Sequence, residues 1–176
     1  MSAMTYTIDP AHTTAGFKVR HMMVANVRGE FSGISGTVTI DPDNPANSRV
    51  DTTIPTASIH TRDQQRDTHL KSADFLDVEK YPAITFASKK VSASGDEWKV
   101  TGDLTIHGVT KEVTLEVEGP TPEVKDPWGN IKRGATATAK INRKDFGLVW
   151  NVALETGGVL VGEEVQLHIE AEFARQ

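Results

Sequence analysis

Alternation constrains this chain more than any other feature. In "KEVTLEVEG", Val113, Leu115 and Val117 share one face while Thr114, Glu116 and Glu118 share the other. "EVQLHIEAEF" sets Val165, Leu167, Ile169, Ala171 and Phe173 against Gln166, His168, Glu170 and Glu172. Ile34, Gly36, Val38 and Ile40 stand in the same way against Ser35, Thr37 and Thr39. Residues two apart share a face only in a strand, so each run is a strand with one buried and one wet side, as in antiparallel sheet. The period predicts about eight strands, near 12–22, 29–41, 48–60, 82–93, 97–107, 110–119, 131–142 and 163–174.

The linkers are of two kinds. "DPDNPAN" (41–47), "SASGD" (92–96) and "GPTPEVKDPWGN" (119–130) are turn chemistry rich in Pro, Gly, Asn and Asp. "MMVANV" (22–27) and "LVWNVALETGGVLVG" (148–162) are apolar for loops, and "QQRDTHLKSADFLDVEKYP" (64–82) abandons the strand period. There Thr61, with Gln64 three residues on, reads as a capping box. Ser72 reads as the cap of a second turn near 73–78, and Pro82 as the return to extended chain. A short helical segment near 62–78 is the only helix expected.

Up-and-down pairing of neighbouring strands is the default for short connections. It sends 22–28, 61–81, 107–110 and 143–162 to one end and the three plain turns to the other. Eight such strands close into a barrel, which removes exposed sheet edges. The expected class is therefore all-β: an eight-stranded antiparallel up-and-down barrel, one domain over 1–176. "GATATAKI" offers Ala135, Ala137 and Ala139 to the interior, consistent with a hollow lumen or with a tapered, filled core. The apolar loops at one end fit the mouth of a hollow barrel or a plug of side chains.

Composition closes off several functions. The net charge of −5 excludes the basic face of a general nucleic-acid binder, and the absence of cysteine excludes thiol catalysis, disulfides and Cys-ligated zinc. "MSAMTYTIDP" lacks the charged and apolar regions of a signal peptide, and no apolar run reaches membrane-span length. The expected location is thus cytoplasmic, or periplasmic or secreted if a leader has been removed.

His21, His60, His69 and His107 fall at or near the mouth. His21 continues the inward register of Ala15, Phe17 and Val19, so it either meets a polar head group or is a satisfied structural residue. His60, Asp63, Asp67 and His69 are the one plausible metal cluster, but their spacing fits no standard site, and no metal is expected. There is no G-x-S-x-G elbow, and no catalytic residue is assigned. Arg66 and the aspartates around it read as helix neighbours on a solvated face, as clamps at the barrel rim, or, for Arg66, as a partner for an anionic head group.

The stretches "TIDPAHTTAGFKVRH", "GEFSGISGTVTID", "SIHT", "RDTHLKSADFLDVEKYPAITF", "GDLTIHGVTKEV", "RKDFGL" and "VGEEVQLHIEAEF" resemble, in order, the motifs of the YceI-like family of polyisoprenoid-binding proteins over roughly 5–173. The resemblance implies an extended lipocalin-like barrel whose apolar tunnel holds a prenyl chain, with no catalysis and no cofactor. Many members of that family carry an export signal, which this sequence does not show. The implied function is non-catalytic binding, transport or sequestration of a polyprenyl lipid or prenylquinone. The alternatives are a filled barrel docking another protein through its apolar rim and, as a minor one, a lipid-modifying hydrolase. By register the lining candidates are Phe17, Val19, Val38, Ile40, Ile54, Ile84, Phe86, Leu104, Ile106, Ala137, Ala139 and Ile141, with His21, Arg66 and His69 at the head-group end. The expected partner is a long-chain isoprenoid or other apolar small molecule; no nucleic acid and no membrane span is expected, and a homodimer is open.

Overall fold

The computed structural model describes residues 3–176. Its strands are β1 (Met4–Ile8), β2 (Thr14–His21), β3 (Ala25–Phe31), β4 (Ser35–Ile40), β5 (Arg49–Pro55), β6 (Ala83–Ser94), β7 (Glu97–Ile106), β8 (Val109–Glu118), β9 (Val124–Lys125), β10 (Ile131–Asn142) and β11 (Val161–Arg175). One α-helix, α1 (Gln64–Lys71), lies between β5 and β6. All pairings are antiparallel.

These strands make an eight-ribbon closed barrel, because two ribbons are each built from two strands. β1 and β2 lie end to end along β11, with Ile8 opposite Phe173 and Thr14 opposite Glu170. β4 and β3 lie end to end along β1 and β2, with Thr7 opposite Thr37 and Ala15 opposite Phe31. The order then runs β5, β6, β7, β8, β10 and returns to β11. Short β9 pairs only with the start of β10.

Each double ribbon bends where its inward parity changes. In β1 the inward residues are Tyr6 and Ile8, and in β2 they are Ala15 and Phe17. The shift happens over a 3-10 turn at Pro10–His12, capped by Asp9, whose carboxylate accepts from Ala11 N at 3.0 Å. Lys132 on β10 locks this bend: its Nζ lies 2.9 Å from Asp9 Oδ2 and 3.0 Å from Glu172 Oε2, and His12 Nδ1 lies 2.8 Å from Asp9. In the next ribbon, Gly33 at φ +68 makes the corresponding break, and Ile34 beyond it turns inward and is buried.

The sorting of loops to two ends holds. Met22 N donates to Leu160 O at 2.8 Å, the His69 and Phe75 rings pack on Trp150, and Tyr81 and Phe146 O both meet His107. The loops near 22–24, 61–81, 107–108 and 143–160 therefore share one end, the mouth. At the other end the 119–130 segment is tied back by Glu123, which accepts from Tyr6 Oη at 2.7 Å and from Arg175 Nη1 at 3.2 Å.

Several boundaries differ from the expectation. The strand expected over 12–22 has a forerunner at Met4–Ile8, and the one expected over 29–41 is two strands beginning already at Ala25. The strand near 48–60 ends at Pro55, followed by a 3-10 turn at Thr56–Ser58. The helix cap is Asp63, whose Oδ1 accepts from Arg66 N at 3.0 Å, and not Thr61. Ser72 ends the helix, its Oγ donating to His69 O at 2.6 Å, and 73–80 is a chain of hydrogen-bonded turns rather than a second helix.

Lys132 and His12 hold the Asp9 carboxyl well below the usual carboxylate range, and Asp9 and Glu172 hold the Lys132 ammonium above the usual lysine range. A depressed carboxyl stabilises the fold above its ordinary pKa and loses that contribution as pH falls toward its folded value. Lys132→Met is expected to cost about 1 kcal/mol at neutral pH. Urea unfolding in an acid pH series should show the gap to wild type closing as pH falls below about 4.

Candidate functional site

The barrel interior is hollow. A lower chamber of about 220 Å³ lies toward the plain-turn end, where Thr39, Ser48 and Pro120 reach it. An upper chamber of about 650 Å³ lies under the mouth, within the ~300–1,000 Å³ usual for ligand pockets. Phe17, Phe31, Ile84, Ile106 and Leu167 belong to both walls. The Phe17 and Phe31 ring centroids are 5.6 Å apart at this junction. Gly29 makes room for them, since a β-carbon there would fall 2.5 Å from Phe17 Cζ.

The lower chamber is walled almost wholly by apolar side chains from every ribbon, with a few hydroxyls such as Thr13 and Thr52. Ala135 and Ala137 on β10 leave it open, facing Ala171 and Ile169 across the β10–β11 ladder. The alanine register thus marks a void and not a tapered, filled core. Phe17, Val38, Ile40, Ile54, Ile84, Phe86, Leu104, Ile106 and Ala137 stand on this wall, and Val19 and Ile141 on the upper one. Ala139 stands on neither. It keeps the parity of Ala137 and pairs with Leu167, but the bulkier Leu167 side chain is the one that reaches both chambers.

The upper chamber gathers the polar groups. His21, Arg66 and His69 all line it, together with Arg20, Asp63, Gln65 and Arg143. Its apolar wall adds Phe75, Leu76, Leu148, Trp150 and Leu160 from the mouth loops. His69 Nε2 lies 2.9 Å from Asp74 Oδ2, with its ring edge-on to Phe75 and Trp150. The four residues weighed as a metal cluster do not converge: His69 faces Asp74, whereas His60 Nδ1 lies 3.6 Å from Asp67. The one group of three metal-capable side chains among the described residues is Asp9, His12 and Glu172, and there Lys132 supplies the cation.

Arg66 does two jobs at once. Its Nε donates to Thr61 Oγ1 at 2.8 Å and its Nη2 to Thr61 O at 2.6 Å. Thr61, itself buried, donates through N and Oγ1 to Asp67 Oδ1, and Asp67 is also buried. This knot closes the loop leading into α1. The same loop is fixed to β3 by paired bonds between Glu30 and His60, at 3.0 and 2.9 Å. The charged residues therefore clamp the segment over the mouth, while Arg66 still forms part of the chamber wall.

Arg143 is the residue that sequence reasoning missed. The inward parity of Ala137, Ala139 and Ile141 reaches it in one further step, but the charged "RKDF" run reads as a loop. Arg143 is 3% exposed, and its guanidinium donates to the carbonyls of Gly162, Leu148, Trp150 and Val161 at 2.6–3.2 Å. Burial lowers its pKa, Glu163 opposes that shift, and a guanidinium remains charged throughout. One planar group thus gathers both ends of the 148–162 loop into the mouth wall. Arg143→Lys offers a point charge that cannot span four carbonyls, so a loss of about 2–3 kcal/mol is expected. Urea unfolding measures it, and faster amide exchange confined to 148–162 would show where the loss falls.

The YceI-like domain matches residues 6–173 of the chain. Protein YceI of Escherichia coli O157:H7 is 42% identical over 176 residues, covering 99% of this chain and 88% of that one. Among solved structures, Burkholderia cenocepacia BcnA superposes with a TM-score of 0.77 at 25% identity, covering 94% of this chain and 98% of that one. A polyisoprenoid binding domain from Saccharophagus degradans, implicated in plant cell wall breakdown, gives a TM-score of 0.67 at 14% identity, over 98% and 99% of the two chains, and so shares the fold. A closed barrel matched from end to end by these motifs and relatives places the chain in the YceI-like family.

Proposed function

We propose that this protein binds a long isoprenoid-type lipid, a polyprenyl lipid or a prenylquinone, and carries or sequesters it without chemical change. The observation that carries the reading is the pair of adjoining chambers, apolar in the lower one and polar only under the mouth. The apolar walls of both take a prenyl tail, its far end in the first, and the polar groups of the second take its head group. Each five-carbon unit moved from water into such walls is worth at most ~4 kcal/mol, at ~0.8 kcal/mol per carbon. Several units therefore outweigh the cost of ordering a flexible chain. Affinity comes from the tail, and discrimination from the few groups around His21, Arg66, His69 and Arg143. The Saccharophagus degradans domain of the same fold is a polyisoprenoid binding domain, which supports the same ligand class here.

The polar contacts favour binding over catalysis. Among the described residues no serine or threonine hydroxyl is hydrogen-bonded to a histidine ring; the rings meet carboxylates or, for His107, a carbonyl. A hydrolase with a serine or threonine nucleophile activated by histidine would need such a pair. The hollow interior likewise weighs against a filled barrel serving only as a docking module. The bound lipid is a ligand, and the reading requires no cofactor.

Organic extraction of the protein purified from its own host, followed by mass spectrometry, is expected to release a stoichiometric prenyl lipid; protein that is consistently empty would overturn the reading. Ala137→Phe fills the lower chamber from its wall and is expected to weaken uptake of a long prenyl chain by roughly tenfold or more, ~1.4 kcal/mol. Its thermal midpoint should stay within about 4 °C of wild type, the shift of ~1 kcal/mol in a chain of this size. Native mass spectrometry of both proteins after loading gives the comparison.

A further inference from the structure

We propose that the tip formed by Met22–Val24 and the 149–160 loop is a membrane-docking surface through which the barrel exchanges its lipid, an inference that rests on the lipid-binding reading above. Of the seven exposed large apolar side chains among the described residues, five, Met22, Met23, Val24, Val149 and Val152, lie on these two loops, and the other two, Val124 and Trp128, lie on the 119–130 segment. The loops form one unit. Met22 N donates to Leu160 O and Leu160 N to Val152 O, both at 2.8 Å, and Gly158 lies against the Met23 side chain. The unit rims the upper chamber, whose wall includes Arg20, His21, Trp150, Leu160 and Val161. Apolar surface thus runs from the outside of the tip into the cavity.

The tip's backbone points to the same use. Met22 and Met23 have φ of +52° and +63°, with Val24 N donating to His21 O at 3.1 Å. That is a tight hairpin turn with both central residues left-handed, a geometry for which Asn-Gly is the favoured pair. Methionine at both positions is strained, and nothing in the hairpin itself calls for two long apolar side chains. Strain of this kind persists where function holds it.

Two features select a bilayer as the occupant rather than a protein. The exposed apolar groups of the tip are flexible methionines and small valines, and the loop's tryptophan, Trp150, packs on His69 in the chamber wall instead of standing out as the aromatic anchor of a protein interface. Behind it stands the exposed Arg20, whose Nη2 donates to Met23 O at 3.2 Å. Its charge complements an anionic lipid surface, and Glu155 is the one acid on the 149–160 loop.

The test is flotation with phosphatidylcholine vesicles, with and without phosphatidylglycerol. Wild type is expected to float, more so with the anionic lipid. M22N/M23G supplies the residues the turn prefers and removes the apolar side chains. Its thermal midpoint should equal or exceed that of wild type, and its uptake of a prenyl alcohol from detergent should be unchanged. Its vesicle binding should fall by roughly tenfold or more, since interfacial affinity scales with the apolar area inserted. V149S/V152S, altered on the other loop, should show the same loss. Flotation of both variants like wild type, or no flotation of wild type with either vesicle, overturns the proposal and leaves the rim to a protein partner. Vesicle binding that is lost in the variants while wild type takes up no prenyl chain sustains the docking surface and overturns the lipid reading instead.

Discussion

The interior exists because β11 is hydrogen-bonded along both edges. Its fifteen residues pair with β10 from Glu164 to Ala174 on one side, and with β2 and then β1 on the other. Without that double ladder the sheet is open and its apolar face has no inside. With it, every inward side chain from eight ribbons faces another across a shared space. How much of that space stays empty is then decided by side-chain volume, with Ala135 and Ala137 on β10 beside Ala171 on β11.

The barrel was legible in the chain because alternation survives wherever one face is wet. It was less legible where a ribbon bends. "MTYTI" alternates as well as any strand, but the inward set is even-numbered there and odd-numbered from Ala15 onward, so the two halves do not read as one ribbon. The span 29–41 hides the same break at Ser32 and Gly33, with Phe31 inward on one side of it and Ile34 on the other. Each break is a local turn held by tertiary partners, Lys132 for one and the Ser32 N to Ser58 Oγ bond for the other. Such partners lie far off in sequence and leave no local period.

The mouth was legible in part, for a related reason. His21, Arg66 and His69 could be placed there from loop counting alone, and all three line the upper chamber. What counting could not give is which polar groups are already engaged. Thr61 read as the helix cap, and the structure gives that work to Asp63 while Thr61 bridges Arg66 and Asp67. Arg143 went unseen because a charged residue is usually on a solvated surface. Here four carbonyls take the place of water around it.

The junction at Phe17 and Phe31 has a kinetic side. Two rings packed on each other at the meeting of the chambers take up part of the passage there, which favours slender chains threaded end-on over bulky bodies entering sideways. An occupant that reaches the lower chamber must leave by reptation, withdrawing unit by unit past the same two rings. Residence time then lengthens with the number of units beyond the junction. Two lipids with the same head group but tails of different reach would be sorted by how long they stay rather than by how readily they enter.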